Sequence, residues 1–204
     1  LRPVRFVHRP LYIAIKGFKL CFNYLLIRLY YKPIFLLEIK NHPKSMNFQG
    51  LQVPFRMGPL DIFMGDNCRV DGRIALIGRA ASEVNPILDI GNNVGIGWQC
   101  GIYVGTKVVL GNNVRIAERC KLSGYAGHPY DAELRASGAP DYDFQARDLV
   151  LEDDVWLGSG VIVNAGVKIG RATIVAAGSV VTNDLPPGVL AGGVPAKVIK
   201  EIDV

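Results

Sequence analysis

His128 is the side chain in this sequence best suited to acid–base chemistry. It is one of three histidines, and the other two, His8 and His42, lie in a basic leader. It stands in the stretch GHPYDAELR, at the entrance to a polar segment. A neutral imidazole, with an ordinary pKa of about 6.5, takes a proton from an alcohol at neutral pH. General-base help of that kind contributes roughly 10²–10⁴ in rate. A lone histidine at a loop base more often caps or bridges turns, so its context has to carry the functional reading. Asp131, Glu133 and Asp148 are close enough in sequence to orient the ring. Each reads more readily as a solvated loop carboxylate.

The elements that must position this histidine are legible as a repeat. From Leu151 an aliphatic residue recurs every six positions: Leu157, Val163, Ile169, Val175 and Val181 follow. Two residues before each lies Leu149, Val155, Val161, Val167, Thr173 or Ser179. The same pattern runs through Ile90, Ile96 and Ile102, through Leu110, Ile116 and Leu122, and more weakly through Met64, Val70 and Leu76. A helical period of 3.6 cannot produce a strict six. A short strand followed by a turn can, if three such units close a triangular coil. "GNN" at 91–93 and 111–113 and "EDD" at 152–154 supply turn residues that tolerate left-handed backbone. The expected fold is all-β, a parallel β-helix of about five coils spanning 61–186, which resembles the left-handed β-helix of the hexapeptide-repeat family. A basic segment, 1–60, precedes it and a C-terminal tail, 187–204, follows it.

Between Leu122 and Leu151 the period fails, which predicts an extruded loop over 123–148 with His128 at its base. Long loops within compact repeats are commonly functional. Cys68, Cys100 and Cys120 each sit two residues before an aliphatic position, in slots held elsewhere by Val, Thr or Ser. They read as small core residues rather than as disulfide or metal partners. No metal site is expected. Unpaired cysteines fit a reducing, cytoplasmic compartment.

The net charge of +5 is unevenly spread. Residues 1–60 hold ten Lys/Arg, Arg2 among them, against Glu38 alone, which leaves the remainder acidic. From Arg9 to Lys32 the polar residues Arg9, Lys16, Lys19 and Asn23 share one helical stripe in an otherwise apolar surface. Such a helix could lie peripherally on an anionic membrane or pack on the β-helix or a neighbouring subunit. The apolar excess argues against nucleic acid. Lys16, Lys19, Arg28 and Lys32 are expected to rule out a spanning segment. The same lysines argue against a secretory signal. The chain begins at Leu1 rather than Met, which leaves an upstream segment open.

"GHPYDAELR", "VWLGSGVIVNAGVKIG" and "AAGSVVTNDLPPGVLAGGVPAKVIKEI" resemble the galactoside, maltose, nodulation and polysaccharide O-acetyltransferases of the hexapeptide-repeat family. The resemblance runs from about Ile90 to Ile202. It implies acetyl-CoA as acyl donor, a homotrimer, and His128 as catalytic base. It also implies that Trp156 lines the cleft and that Ser159 and Ala177 meet the pantetheine arm. Thr182 and Asn183 would lie further along, with Lys197 and Lys200 at the phosphates. Asn183 stands where relatives often carry a lysine. On the acceptor side the relatives' Asn-rich stretch and acid are replaced by "GWQCGIYVG", 97–105, so Trp98 and Gln99, with Tyr130 and Asp131 of the loop, become acceptor candidates. Trp98 could stack on a sugar face.

The expected activity is acetyl transfer to a sugar hydroxyl in surface polysaccharide or a glycan precursor. The alternatives are an amino-sugar N-acetyltransferase and a non-catalytic assembly module at a membrane. A zinc hydratase on the same β-helix needs three histidine ligands, and His128 stands alone there.

Overall fold

In the computed structural model, which describes residues 5–203, the six-residue period becomes six stacked coils. Arg2, counted in the basic leader, lies outside the described residues. The first coil is β1 (Met46–Gln49), β2 (Phe55–Met57) and β3 (Asp61–Met64). The second is β4 (Cys68–Asp71), β5 (Ala75–Gly78) and β6 (Ile87–Ile90), and the third β7 (Gly95–Ile96), β8 (Gly101–Val104) and β9 (Lys107–Leu110). The fourth is β10 (Arg115–Ile116), β11 (Lys121–Ser123) and β12 (Leu149–Leu151). The fifth is β13 (Trp156–Leu157), β14 (Ile162–Val163) and β15 (Lys168–Ile169). The sixth is β16 (Ile174–Val175) and β17 (Val180–Val181), closed by Leu185 bridging to Ile169.

Every third strand pairs in parallel with its equivalent one coil on, so the solenoid has three faces. Face one is β1-β4-β7-β10-β13-β16, face two β2-β5-β8-β11-β14-β17, and face three β3-β6-β9-β12-β15. The first coil begins inside the segment read as leader, because its strands "MNFQ" and "FRM" do not keep the hexad spacing. Face one is extended by β18 (Val189–Gly193), onto which β19 (Ala196–Glu201) folds back antiparallel.

The inward ladder is as the spacing requires. Leu151, Leu157, Val163, Ile169, Val175 and Val181 are all fully buried, as are Ile102, Leu110 and Leu122 to within a per cent. Burying one such side chain stabilises by roughly 1.5–3 kcal/mol. Two residues before that ladder, Cys68 is buried on face one, in line with Val94, and Cys100 and Cys120 on face two, in line with Val161. Each thiol donates to a carbonyl of the next coil: Cys68 to Gly91 (3.2 Å), Cys100 to Ala117 (2.9 Å) and Cys120 to Gly158 (3.1 Å). Where these two columns shrink to Thr173 and Ser179, the hydroxyls donate to Pro186 O and Ala176 O.

The corner between faces three and one is an amide ladder. Asn93, Asn113 and Asp154 turn the chain at φ of 55°, 60° and 63°. The Asn93 amide donates to Asn113 Oδ1 (2.8 Å), and that of Asn113 to Asp154 Oδ1 (2.9 Å). The "GNN" and "EDD" turns therefore stack as well as bend.

The leader is helical, as α1 (Arg5–Leu26), a π-helical turn (Ile27–Tyr31) and α2 (Lys32–Leu37). Its end packs on the first coil: Phe35 is buried, with its ring 5.7 Å from that of Phe48. Lys32 Nζ donates to Met46 O (2.7 Å). α1, by contrast, exposes Phe6, Leu11, Tyr12, Ile13, Phe18 and Leu20. His8–Leu37 contains a window of mean hydropathy 1.3 that is wholly unburied, long and apolar enough to cross a membrane by length and composition. The expectation that four cations rule this out is therefore not borne out. Lys16 and Lys19 are the only charges between Leu11 and Ile27, too few to offset the Leu, Ile and Phe around them.

Candidate active site

The loop leaves face two after Ser123 and rejoins face three at Leu149. Its neck is pinned: Gly124 N donates to Tyr103 O (2.7 Å), Arg147 N donates to Gly124 O (2.9 Å), and Thr106 Oγ1 donates to Asp148. Its interior is held by a buried ion pair. Arg79, from the end of β5, donates through Nε to Asp141 Oδ1 (2.8 Å) and through Nη2 to Asp141 O (2.7 Å). Nη1 reaches the exposed Asp143 at 2.8 Å. Burial alone would lower the Arg79 pKa, but hydrogen bonds and charge from both aspartates outweigh it and raise it.

Asp141 also orders the catalytic candidate. Its Oδ2 accepts from Gly127 N (3.2 Å), the residue before His128. Gly127 turns at φ 83°, left-handed geometry that favours glycine. On the other side of the histidine, Gln145 Nε2 donates to His128 O (3.2 Å), and Pro129 is buried. The backbone of His128 is thus clamped while its side chain is exposed. Asp131 is occupied as N-cap of α3 (Ala132–Ala136), accepting from Leu134 N (2.9 Å). Asp148 is tied to Thr106. Tyr130 sits in an exposed aromatic cluster with Tyr142 and Phe144, at 6.4 and 5.9 Å between centroids.

A second set of candidates lines the corner between faces one and two. Backbone hydrogen bonds there stack Arg73 with Gln99, Trp98 with Arg119, Glu118 with Gly160, and Ser159 with Gly178. Ser159 and Ala177 therefore lie on the same corner as Trp98, further along the solenoid. Ser159 Oγ donates to Glu118 Oε1 (2.7 Å), which, with the nearby Arg119 charge, keeps that carboxyl below its usual range. Trp98 and Gln99 share a cavity of about 690 Å³ with Phe55, Arg73, Tyr103, Arg119 and Lys121. Arg73 and Arg119 lie over the Trp98 ring, at 5.2 and 5.0 Å from its centroid. Both guanidiniums are thus within cation–π range of the Trp98 ring. Tyr103 links this cavity to the loop, with its ring 6.5 Å from that of Tyr125, three residues before His128.

The remaining coenzyme candidates are dispersed. Trp156 is exposed on face one, in a separate cavity of about 680 Å³ with Asp154, Arg171, Ile174 and Ile202. Thr182 and Asn183 follow β17, with Asn183 Nδ2 donating to Thr182 Oγ1 (3.0 Å). Lys197 and Lys200 are exposed on β19. One chain does not bring these residues together. Sequence reasoning missed Arg79, Asp141, Gln145, Arg73 and Arg119. The failed period marks out the loop that contains Asp141 and Gln145, but nothing in spacing points to the partners.

Stacked hexads with an extruded, histidine-bearing loop make this chain a β-helix built on a six-residue repeat. The bacterial transferase hexapeptide (six repeats) family model matches residues 148–183. Galactoside O-acetyltransferase of Escherichia coli (strain K12) is 41% identical over 116 residues, 57% of this chain and 55% of that protein. The chain thus spans little more than half the length of that relative. Among solved structures, a maltose O-acetyltransferase from Clostridium difficile 630 is 27% identical with a TM-score of 0.52, covering 93% of this chain and 84% of that one. A mutant N-acyltransferase from Bacillus cereus, in complex with dTDP-4-amino-4,6-dideoxyglucose and Coenzyme A, shares the fold at 21% identity and a TM-score of 0.59, covering 85% and 88%.

Asp141→Ala leaves the buried Arg79 without its main partner, and such losses cost about 3–5 kcal/mol. Because Asp143 remains, chemical denaturation of this variant should show a loss near the lower end of that range. Unchanged stability would mean that the pair does not hold the loop.

Proposed function

We propose that the protein is an O-acetyltransferase that moves an acetyl group from acetyl-CoA to a sugar hydroxyl, with His128 as general base. The observation that carries this reading is the clamped backbone and free side chain of His128, at the mouth of a loop anchored by buried Arg79 and Asp141. The likeness to the galactoside and maltose O-acetyltransferases supports it. His128 takes the hydroxyl proton as the sugar oxygen attacks the thioester carbonyl. The tetrahedral intermediate then expels the thiolate, which the imidazolium reprotonates. Ser159, Ala177, Thr182, Asn183, Lys197, Lys200 and Trp156 are the coenzyme-binding candidates, and Trp98, Gln99, Tyr130 and Asp131 the acceptor-side ones.

Because these candidates lie at different corners of one chain, a threefold assembly that sets one chain's corner against its neighbour's loop suits them best. N-acetylation of an amino sugar is the second reading, supported by the fold shared with the Bacillus cereus enzyme. In thiol-release assays with acetyl-CoA and a saccharide panel, His128→Ala should lose roughly 10²–10⁴ in rate. The acetylated product should be cleaved by mild alkali, and sedimentation should give a mass of three chains for both proteins. Full activity in the variant would overturn the mechanism, and an alkali-stable product would favour the amine acceptor. A monomeric active enzyme would contradict the shared site.

We also propose that α1 lies in the interface of an anionic membrane, which would present the solenoid to lipid-linked or nascent glycans. Residues 5–37 contain no Asp or Glu, and Arg9, Lys16, Lys19 and Asn23 make one narrow stripe in an exposed apolar surface. The full chain should sediment with phosphatidylglycerol-containing vesicles more than with phosphatidylcholine alone, and alkaline carbonate should release it. Equal partition to both, or resistance to carbonate, would contradict an interfacial helix, the latter in favour of a spanning one.

A further inference from the structure

We propose that Arg73, Trp98, Arg119 and Lys121 form an oxyanion site that selects an acceptor sugar bearing a phosphate or a carboxylate. Calling its ligand the acceptor rests on the acetyltransferase reading above, whereas the anion site itself does not.

Three observations meet in the 690 Å³ cavity. The first is convergent positive charge. Two guanidiniums share the Trp98 indole, one from the coil before it and one from the coil after. Lys121 reaches in from β11, with Nζ 4.8 Å from the Tyr103 centroid. The nearest carboxylates offset this only in part. Asp71 pairs with Arg73 at 3.1 Å, and Glu118, which accepts from Ser159, faces the Arg119 charge, so three cations stand against two carboxylates. Arg119 and Lys121 make no ion pair among the described residues. Arg73 spends Nε and Nη2 on Asp71, and Arg119 Nε meets Gln99, so the groups left for an oxyanion are Arg73 Nη1, the two Nη groups of Arg119 and Lys121 Nζ.

The second observation is backbone strain. Gln99 and Arg119 occupy the left-handed turn position of this corner, at φ 56° and 60°. The next two coils place Gly160 and Gly178 there, at 70° and 71°, where no Cβ is penalised. A long side chain at such a position costs about 1–3 kcal/mol and, when it persists, points to a use. The two strained residues touch, Arg119 Nε donating to Gln99 Oε1 at 3.4 Å.

Thirdly, Trp98 Nε1 is buried and donates to no acceptor in the protein. A buried N–H without a partner is costly, and a ligand would reach it only by displacing what covers it. From this corner the cavity runs along face two to Tyr103, whose ring meets Tyr125 at the loop base. An anion at the arginines would leave the rest of the sugar directed toward the His128 loop.

The test uses Arg119→Gly, which installs the residue that adjoining coils carry at the same turn and so should fold without loss of stability. Calorimetry on the full chain would compare glucose, glucose 1-phosphate and glucuronate. At least one charged sugar should bind about tenfold or more tighter than glucose. That advantage should shrink with added salt and largely vanish in Arg119→Gly. The two charged arms show whether phosphate or carboxylate is preferred. Equal binding of charged and neutral sugars, or an advantage that survives in the variant, would overturn the proposal. Thiol release from acetyl-CoA with the same sugars is a separate readout. If the charged sugar binds but is never acetylated, the anion site stands and the acetyltransferase reading fails.

Discussion

Six residues per side and three sides per coil is the constraint from which everything else follows. Each side turns two groups inward, such as Leu149 and Leu151, and stacked coils press those groups into one continuous core, from Met64 through Leu122 to Val181. With strands about 4.8 Å apart, the core has no room for a polar group that its neighbours do not satisfy. That is why the thiols of Cys68, Cys100 and Cys120 each find a carbonyl one coil on. Chemistry is therefore pushed outward, onto the corners and into loops that leave the coil.

The two kinds of exit are used differently. At the amide corner, Asn92, Asn112 and Asp153, beside Asn93, Asn113 and Asp154, spend their side chains on one another and on the preceding coil's backbone. At the corner between faces one and two, Arg73, Trp98, Glu118, Arg119 and Ser159 form a ladder of mixed charge that opens onto a cavity. The loop is a third environment, ordered by a buried charge pair in place of a hydrophobic column. The Arg79–Asp141 contact spans 62 residues and reaches from the second coil to the base of His128.

Most of the fold was legible, because the period of six is a property of the chain itself. The buried Leu149, Val155 and Val161, the core cysteines and the extruded loop all follow from register. The first coil was not legible, since an irregular run around Leu51–Pro54 separates "MNFQ" from "FRM" and breaks the count. The leader divided between the two readings offered for it: Phe35 and Ile39 pack on the solenoid while α1 stays exposed. At the site, His128 could be picked out by its rarity and its place at the broken repeat. Its supports could not, because Arg79 and Asp141 lie far apart in sequence and carry no local pattern. The guanidiniums over Trp98 were hidden for the same reason. Register assigns a residue to a face or a corner, but it does not say which corner a second copy of the chain would approach. Trp156, Ser159 and Thr182 accordingly fell on three different parts of the surface.

The central claim is that His128 receives the proton of a sugar hydroxyl held between the arginine corner and the loop. A crystal structure of the full chain with coenzyme A and glucose 1-phosphate tests this most directly. The expected result is a sugar hydroxyl about 3 Å from an imidazole nitrogen of His128, with the coenzyme thiol beside it. A sugar or thiol bound out of reach of every His128 in the assembly would contradict it.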